Sequence, residues 1–320
     1  MYITTKSTKK YKLFDNKRQI SKFTFSLCAV ILPLIQFCVF YIYANSNMFV
    51  LAFQKYQAKQ GSLGYDVSFV FLDNFRMAWS FIVENTFMIR NSLIKYVFCT
   101  LLSMGLSLIF SFYLYKKFFA HKFFKVILFM PQVISGMVFA LIFKYIVTDV
   151  YTSIVTIITG SVDVVGLFDN VDTRFPTVIF FNVWTSFGVN IMLFTSAMNG
   201  INESVEESAS LDGANIYKEF IHITLPLIFP TITSLLVLGL VGIFTDQMNL
   251  YTLFGRNGEE MSTFGYYLYL QSVDSDLIST KVGLLNYSEL SALGIILTII
   301  ILPITMTVKK LLEKFGPSVE

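Results

Sequence analysis

Along most of this chain apolar residues follow one another without the polar face that a surface helix would show. Crossing about 30 Å of hydrocarbon takes roughly 20 such residues in a helix. Stretches of that kind lie near 23–43, 93–115, 124–147, 176–199, 224–245 and 291–312. The fifth, TLPLIFPTITSLLVLGLVGIFT, and the sixth, SALGIILTIIILPITMTVKKLL, are the clearest. Pro33, Pro131, Pro230 and Pro303 fall inside these stretches. Membrane helices tolerate them because neighbouring helices and Ser/Thr side chains satisfy the freed carbonyls. The first stretch exceeds the 7–15 residues of a secretory signal core, and no Ala-x-Ala site follows in YIYANSNM, so it reads as an uncleaved helix. The pattern predicts an all-α, polytopic membrane protein of about six transmembrane helices. Its parts are a tail at 1–22, a membrane domain at 23–315 and a short end at 316–320.

Composition agrees. Hydrophobic residues make up 55% and charged residues 14%, against about 25% charged in soluble domains. Lys and Arg concentrate in three places: the N-terminal tail (Lys6 to Lys22), the connection YKKFFAHKFFK after the second stretch, and the tail carrying Lys309, Lys310 and Lys314. With six spans all three fall on one side, and an excess of bases marks the cytoplasmic side. Both termini are therefore expected inside, and the longer segments 44–92, 148–175 and 246–290 outside. The net charge of +3 is accounted for by this topology and does not point to nucleic acid. Cys28, Cys38 and Cys99 all sit in or beside apolar stretches and read as small packing residues.

One passage departs from the rest. EESASLDGANIYKEFIHITLP, residues 206–226, sets Glu206, Glu207 and Asp212 within seven residues, in an expected cytoplasmic loop at 200–223. Ile201, Val205 and Ala209 recur at helical spacing, and Ser204-x-x-Glu207 matches a capping box. Asp212-Gly213 is a turn or helix-stop signal, and a second short helix would align Ile216, Phe220 and Ile223. The loop reads as helix, tight turn, helix. On spacing alone its acids are equally well a solvated face with Glu207 as a helix cap.

Glu207-Ser208-Ala209, three residues, Gly213, nine residues, Ile223, one residue, Leu225-Pro226 resembles the EAA loop of binding-protein-dependent ABC importer permeases. Only Ser208 departs, small for small. Asp212-Gly213-Ala214 is the form usual in the sugar-uptake branch. The likeness to maltose-type and glycerol-phosphate-type permeases covers roughly 90–315, including NVWTSFGVNIML, FMPQVISGMVFALIFKYI and YSELSALGIILTII. LFGRNGEEMSTFGYYLY departs from it, having Gly255 and Gly258 where that group often has a Gly-Gly-Pro turn. The resemblance implies a type I ABC importer permease in a bacterial cell membrane. Its partners would be a second permease of the family, two cytoplasmic ABC ATPase subunits, an extracytoplasmic solute-binding protein, a sugar and membrane lipid. It implies no cofactor and no catalysis by this chain. Glu207, Ser208, Ala209, Asp212, Gly213 and Ala214 would couple the permease to the ATPase.

The chain has no G-x-x-x-x-G-K-[ST] phosphate loop, so an ATPase must be a separate subunit. Intramembrane carboxylates, which a polytopic enzyme or an ion-coupled secondary transporter would need, are scarce, and those two classes remain the alternatives. Asn182, Ser186 and Asn190 form a polar stripe at i, i+4, i+8 on the fourth stretch. It serves either helix-to-helix hydrogen bonding or a sugar path. By resemblance, Asn182 and Ser186 match sugar-binding positions before the loop, and Gly239, Gly242, Ile243 and Asp246 match those after it. NFRMAWSFIVENTF is expected to form amphipathic helices at the outer interface, with Trp79 as an anchor.

Overall fold

The computed structural model describes residues 17–59, 64–273 and 284–317. Among them, five helices are long and apolar enough to cross a membrane: Ser21–Ala52, Thr86–Tyr115, Gly136–Thr159, Val171–Met198 and Tyr287–Phe315. A sixth crossing is a bent pair, Ile216–Leu227 and Phe229–Val241, at 66°. In chain order they are spans one to six, the bent pair being span five. The fold is the all-α membrane architecture expected, with one addition. An antiparallel hairpin joins β1 (Gln54–Ala58) to β2 (Tyr65–Phe69), Tyr56 facing Val67. It is seated by the buried Asn74, whose Nδ2 donates to the carbonyls of Ala52 and Gln54, both at 2.9 Å. The helix Asp73–Glu84 follows, with Trp79 exposed on it.

Three helices depart from the expected boundaries. Span one continues through a π-helical turn at Cys38–Tyr43 to Ala52, past the expected end at 43. The expected third span, 124–147, is broken. His121–Val133 ends where Ile134 (φ −82°, ψ 142°) turns extended, and a new helix starts at Gly136 and runs on to Thr159. Pro131 has already removed one backbone bond, and the Ser135 carbonyl starts the next ladder by accepting from the Phe139 N–H at 2.9 Å. Span five bends at Ile228, between Pro226 and Pro230. Pro230 has no N–H to give the Pro226 carbonyl, so the helix loses a bond where it turns.

Spans two and four meet through small residues. Ser103, Ser107 and Ser111 are fully buried. Ser107 donates to the Phe187 carbonyl at 3.3 Å and Ser111 to the Ile191 carbonyl at 3.1 Å. Small side chains let the backbones approach, and their hydroxyls bond across the gap. Span five closes on span two at Gly239, where a Cβ would stand 2.4 Å from Thr100 Cγ2. Next to the acidic loop, the core is Met104, Phe112, Phe194, Met198 and Ile228. Cys99 is buried as a packing residue should be, whereas Cys28 and Cys38 are exposed on span one.

Candidate functional site

The acidic loop begins with the helix Glu203–Leu211. Asn202, extended at φ −69° and ψ 130°, caps it, its side-chain oxygen accepting the Ser204 N–H at 3.1 Å. This corrects the capping box read from Ser204 and Glu207. Ser204 already lies inside the helix, and Glu207 has no capping duty. The helix closes with the Ala214 N–H donating to the Ala209 carbonyl at 3.0 Å and the Gly213 N–H to the Ser210 carbonyl at 3.1 Å. That paired closure needs a left-handed residue between, and Gly213 supplies it at φ +72°. Asn215 then caps Ile216–Glu219, accepting from the Lys218 N–H at 2.9 Å. The second helix is not a free-standing element: it passes through a π-helical turn at Phe220–Thr224 straight into span five.

The acids divide into two groups. Glu206 and Glu219 both pair with Lys116, which follows Tyr115 at the end of span two, the Glu206 contact being 2.7 Å. Lys116 is 17% and Glu219 16% exposed, so the cluster is largely withdrawn from solvent. Burial, and then the neighbouring Glu219 carboxylate, push the Glu206 pKa up from its ordinary value. The Phe112 and Phe220 rings, 4.8 Å apart, reinforce the same junction. Both short helices are thus fastened to span two. Glu207 and Asp212 instead face outward with Ser208, and Ala209 is the buried member of the set. Among the described residues the Glu207 carboxylate has no partner. On the same loop Leu211 is 88% and Tyr217 75% exposed, two large apolar groups on a loop otherwise rich in acids. The signal for them was present, since neither falls on the Ile201–Val205–Ala209 face.

The polar stripe of span four is mostly occupied. Asn182 Nδ2 donates to the carbonyls of Val178 and Met248, and its oxygen accepts from Asn249 Nδ2, all at 2.9 Å. Asn190 Nδ2 donates to Ser103 Oγ of span two at 3.3 Å. Asn190 is thus bonded to a neighbouring helix, and Asn182 to the turn at Met248 and Asn249. Gly239 is the close approach to Thr100, and Ile243 is buried. Ser186 Oγ donates to the Asn182 carbonyl at 2.7 Å, and the residue also lines a cleft of about 320 Å³ at the break in the 121–159 segment, with Gln132, Thr185, Asn249, Phe139 and Phe181. Asn249 and Gln132 were not anticipated.

Asp246 is held in a way the sequence reading missed. One carboxylate oxygen accepts from the Met248 N–H at 2.8 Å, and the other lies 2.8 Å from Lys95 Nζ. Lys95 is 7% exposed and Asp246 48%. Lys95 also donates to the Gly242 carbonyl at 3.4 Å. The turn that Asp246 anchors holds Met248 (φ +56°) and Asn249 (φ +53°) in left-handed geometry, Met248 being fully buried. Farther out, Tyr266 donates to the Gly255 carbonyl at 2.7 Å and accepts from the Gly258 N–H at 3.1 Å, closing the loop that lacks the expected proline.

A bundle of membrane spans with a compact helical knuckle leading into a bent span has the architecture of a transport permease. Residues 103–320 match the family described as binding-protein-dependent transport system inner membrane component, and the chain belongs to that family. It is a membrane-spanning transport subunit of an ABC importer and not an enzyme. It is 29% identical over 294 residues to the arabinooligosaccharides transport system permease protein AraP of Bacillus subtilis (strain 168), covering 88% of this chain and 86% of that protein. It is 25% identical over 289 residues to the multiple sugar-binding transport system permease protein MsmF of Streptococcus mutans, covering 89% and 94%. Its fold is similar to that of a chain from a bacterial ABC transporter involved in the import of the acidic polysaccharide alginate. There the TM-score is 0.70 and the identity 21%, over 93% of this chain and 98% of that one.

Proposed function

We propose that this permease forms half of a translocation path for a sugar or oligosaccharide handed over by an extracytoplasmic solute-binding protein. It pairs with a second permease of its family, and two ABC ATPase subunits drive it from the cytoplasm. The sugar assignment is supported by the relatives named AraP and MsmF. The observation that carries the coupling is the loop at 203–219: closed at Gly213, fastened to span two through Lys116, and presenting Glu207, unpartnered among the described residues, together with the exposed Leu211 and Tyr217. A short acidic knuckle with an apolar rim fits a basic, apolar-lined groove, where Glu207 accepts a charge-assisted hydrogen bond. Ser208, Ala209, Asp212, Gly213 and Ala214 give the knuckle its shape. The substrate passes beside Ser186 and the open face of Asp246, while Asn182, Asn190, Gly239 and Ile243 build the wall that carries them.

Glu207→Lys puts like charge against such a groove. An unpaired charge at an interface costs about 2–5 kcal/mol, so docking should weaken more than tenfold at roughly 1.4 kcal/mol per decade. Co-purification of the ATPase with the assembled permeases measures it. ATPase bound at wild-type strength, with uptake unchanged, would remove Glu207 from the coupling site. Uptake that needs an ion gradient and no ATP would replace the reading with a secondary transporter.

A further inference from the structure

Span two carries a buried or half-buried lysine towards each end, and each lysine is paired with the polypeptide on one side of span five. At the inner end Lys116 holds Glu206 and Glu219, the second of which stands in the helix that becomes span five. Near the outer end Lys95 holds Asp246, in the turn by which the chain leaves span five. The two lysines are 21 residues apart in sequence, about 30 Å along a helix axis. Between them span two touches span five at Thr100 and Gly239 and is bonded to span four through the Ser103, Ser107 and Ser111 stripe.

We infer that span two is the connecting rod of this permease, and that Lys95 and Lys116 are positioning residues that carry movement of the ATPase-facing loop to the Asp246 turn. Span five cannot do this alone. Its 66° bend at Ile228, where the Pro226–Pro230 bond is missing, is a compliant point between the loop and the path. A push on Glu203–Leu211 that reached only span five would be absorbed there. Lys116 bypasses the bend by passing the push to a continuous helix, and Lys95 returns it to span five beyond the bend. Asp246 is the receiving group, because its carboxylate is pinned by Lys95 and the Met248 N–H while the side chain stays half exposed. The adjoining turn, with Met248 and Asn249 in left-handed geometry and Asn249 in the cleft beside Ser186, is the part such movement would reshape. Span two has a π-helical turn at Tyr96–Leu102, immediately after Lys95. Such turns are rare and concentrate at functional positions.

This inference rests on the reading of 203–219 as the ATPase dock, and its test separates the two. Lys95→Met is the informative variant: it leaves a half-exposed Asp246, which water can solvate, whereas Asp246→Asn would strand a buried ammonium. The full complex, with both permeases, ATPase and binding protein, is assayed in proteoliposomes for sugar uptake, ATP hydrolysis and ATPase co-purification. Lys95→Met and Lys116→Met are each expected to retain the ATPase and hydrolyse ATP within about twofold of wild type, yet to transport at least tenfold less sugar per ATP. Lys95→Arg and Lys116→Arg, keeping the charge, should restore most of that ratio. The exchange Lys95→Asp with Asp246→Lys should recover more than either change alone. A Lys95→Met complex that keeps the wild-type ratio of sugar to ATP overturns the rod. So does a Lys116→Met complex that loses its ATPase, because Lys116 would then serve docking and not transmission. Failure of the dock itself shows separately, as Glu207→Lys retaining the ATPase at wild-type strength.

Discussion

At the scale of single residues, the question is which acids of the knuckle are spent inside the chain and which are offered outward. One ammonium, Lys116, faces two carboxylates, so the triad carries a surplus negative charge. Glu206, the more exposed of the two acids, has its pKa raised by burial and by Glu219. A raised native pKa means that the folded protein holds the proton more tightly than the unfolded chain does. Stability therefore falls as pH rises through the interval between the ordinary glutamate value and the raised one, and the cost is fully present above it. Glu219→Gln leaves a one-to-one pair and should lower the Glu206 pKa. Infrared titration of the carboxylate band, with Glu206→Gln as the blank, reads this; an unmoved band would show that Glu219 does not act on Glu206. The same accounting explains what the sequence could not reveal about Asn182. Its place in a polar stripe was legible, but its partners Met248 and Asn249 lie 66 and 67 residues away. Only the left-handed turn brings them together. Lys95 was missed for a related reason. It was not singled out, because it stands only two residues inside the expected start at 93, whereas the helix starts at Thr86 and buries it.

At the scale of elements, hydropathy located the helices and failed at their breaks. Spans two, four and six lie close to their expected positions, because uninterrupted apolar runs have one stable solution in lipid, a continuous helix. The breaks at 134–135 and at Ile228 lie within runs that are just as apolar. Proline marks both neighbourhoods, yet Pro303 sits within an uninterrupted span six; whether a proline bends or breaks a helix is decided by what packs around it. The turn at Gly213 was fully legible, since an Asp-Gly stop followed by an Asn cap specifies a closure of this kind. It yields a clean test. A Cβ at Gly213 meets no atom within 4 Å, so any effect of Gly213→Val comes from backbone geometry at φ +72°. A left-handed conformation costs an L-residue about 1–2 kcal/mol, and more when it is β-branched. Gly213→Asn, which tolerates that geometry, should keep both the ATPase and uptake, while Gly213→Val should lose uptake with membrane insertion unchanged. Equal uptake by the two variants would show that the left-handed closure is not what aims the knuckle.

At the scale of the whole molecule, contacts the sequence could not supply gather the charged segments at one end of the bundle. The knuckle is tied to Lys116, and so lies at the same end as the basic connection 116–125. Phe229 and Pro230, where span five resumes after its bend, line one groove with Lys309 and Glu313 of span six. Two of the basic clusters and the acidic loop therefore share one end of the bundle; of the third cluster, in the N-terminal tail, Lys6, Lys9, Lys10 and Lys12 lie outside the described residues. We propose that this end is the cytoplasmic one, since lysines gathered at short connections mark that side. Of the loop's acids Glu203, Glu206, Glu207, Asp212 and Glu219, set against a lone Lys218, Glu206 and Glu219 have their counter-charge in Lys116, on another span. Labelling sites at Ser7, Ser62 and Ser275 would lie outside the described residues, but two exposed serines within them serve as well. Ser161 lies beyond the Thr159 end of span three and Ser210 on the knuckle. With Cys28, Cys38 and Cys99 replaced, Ser161→Cys should react with a membrane-impermeant maleimide in intact cells, and Ser210→Cys only after lysis. Reaction of Ser210→Cys from outside would place the knuckle on the wrong side for any cytoplasmic ATPase. The coupling reading and the connecting rod would then fall together, while the fold and the family membership would stand.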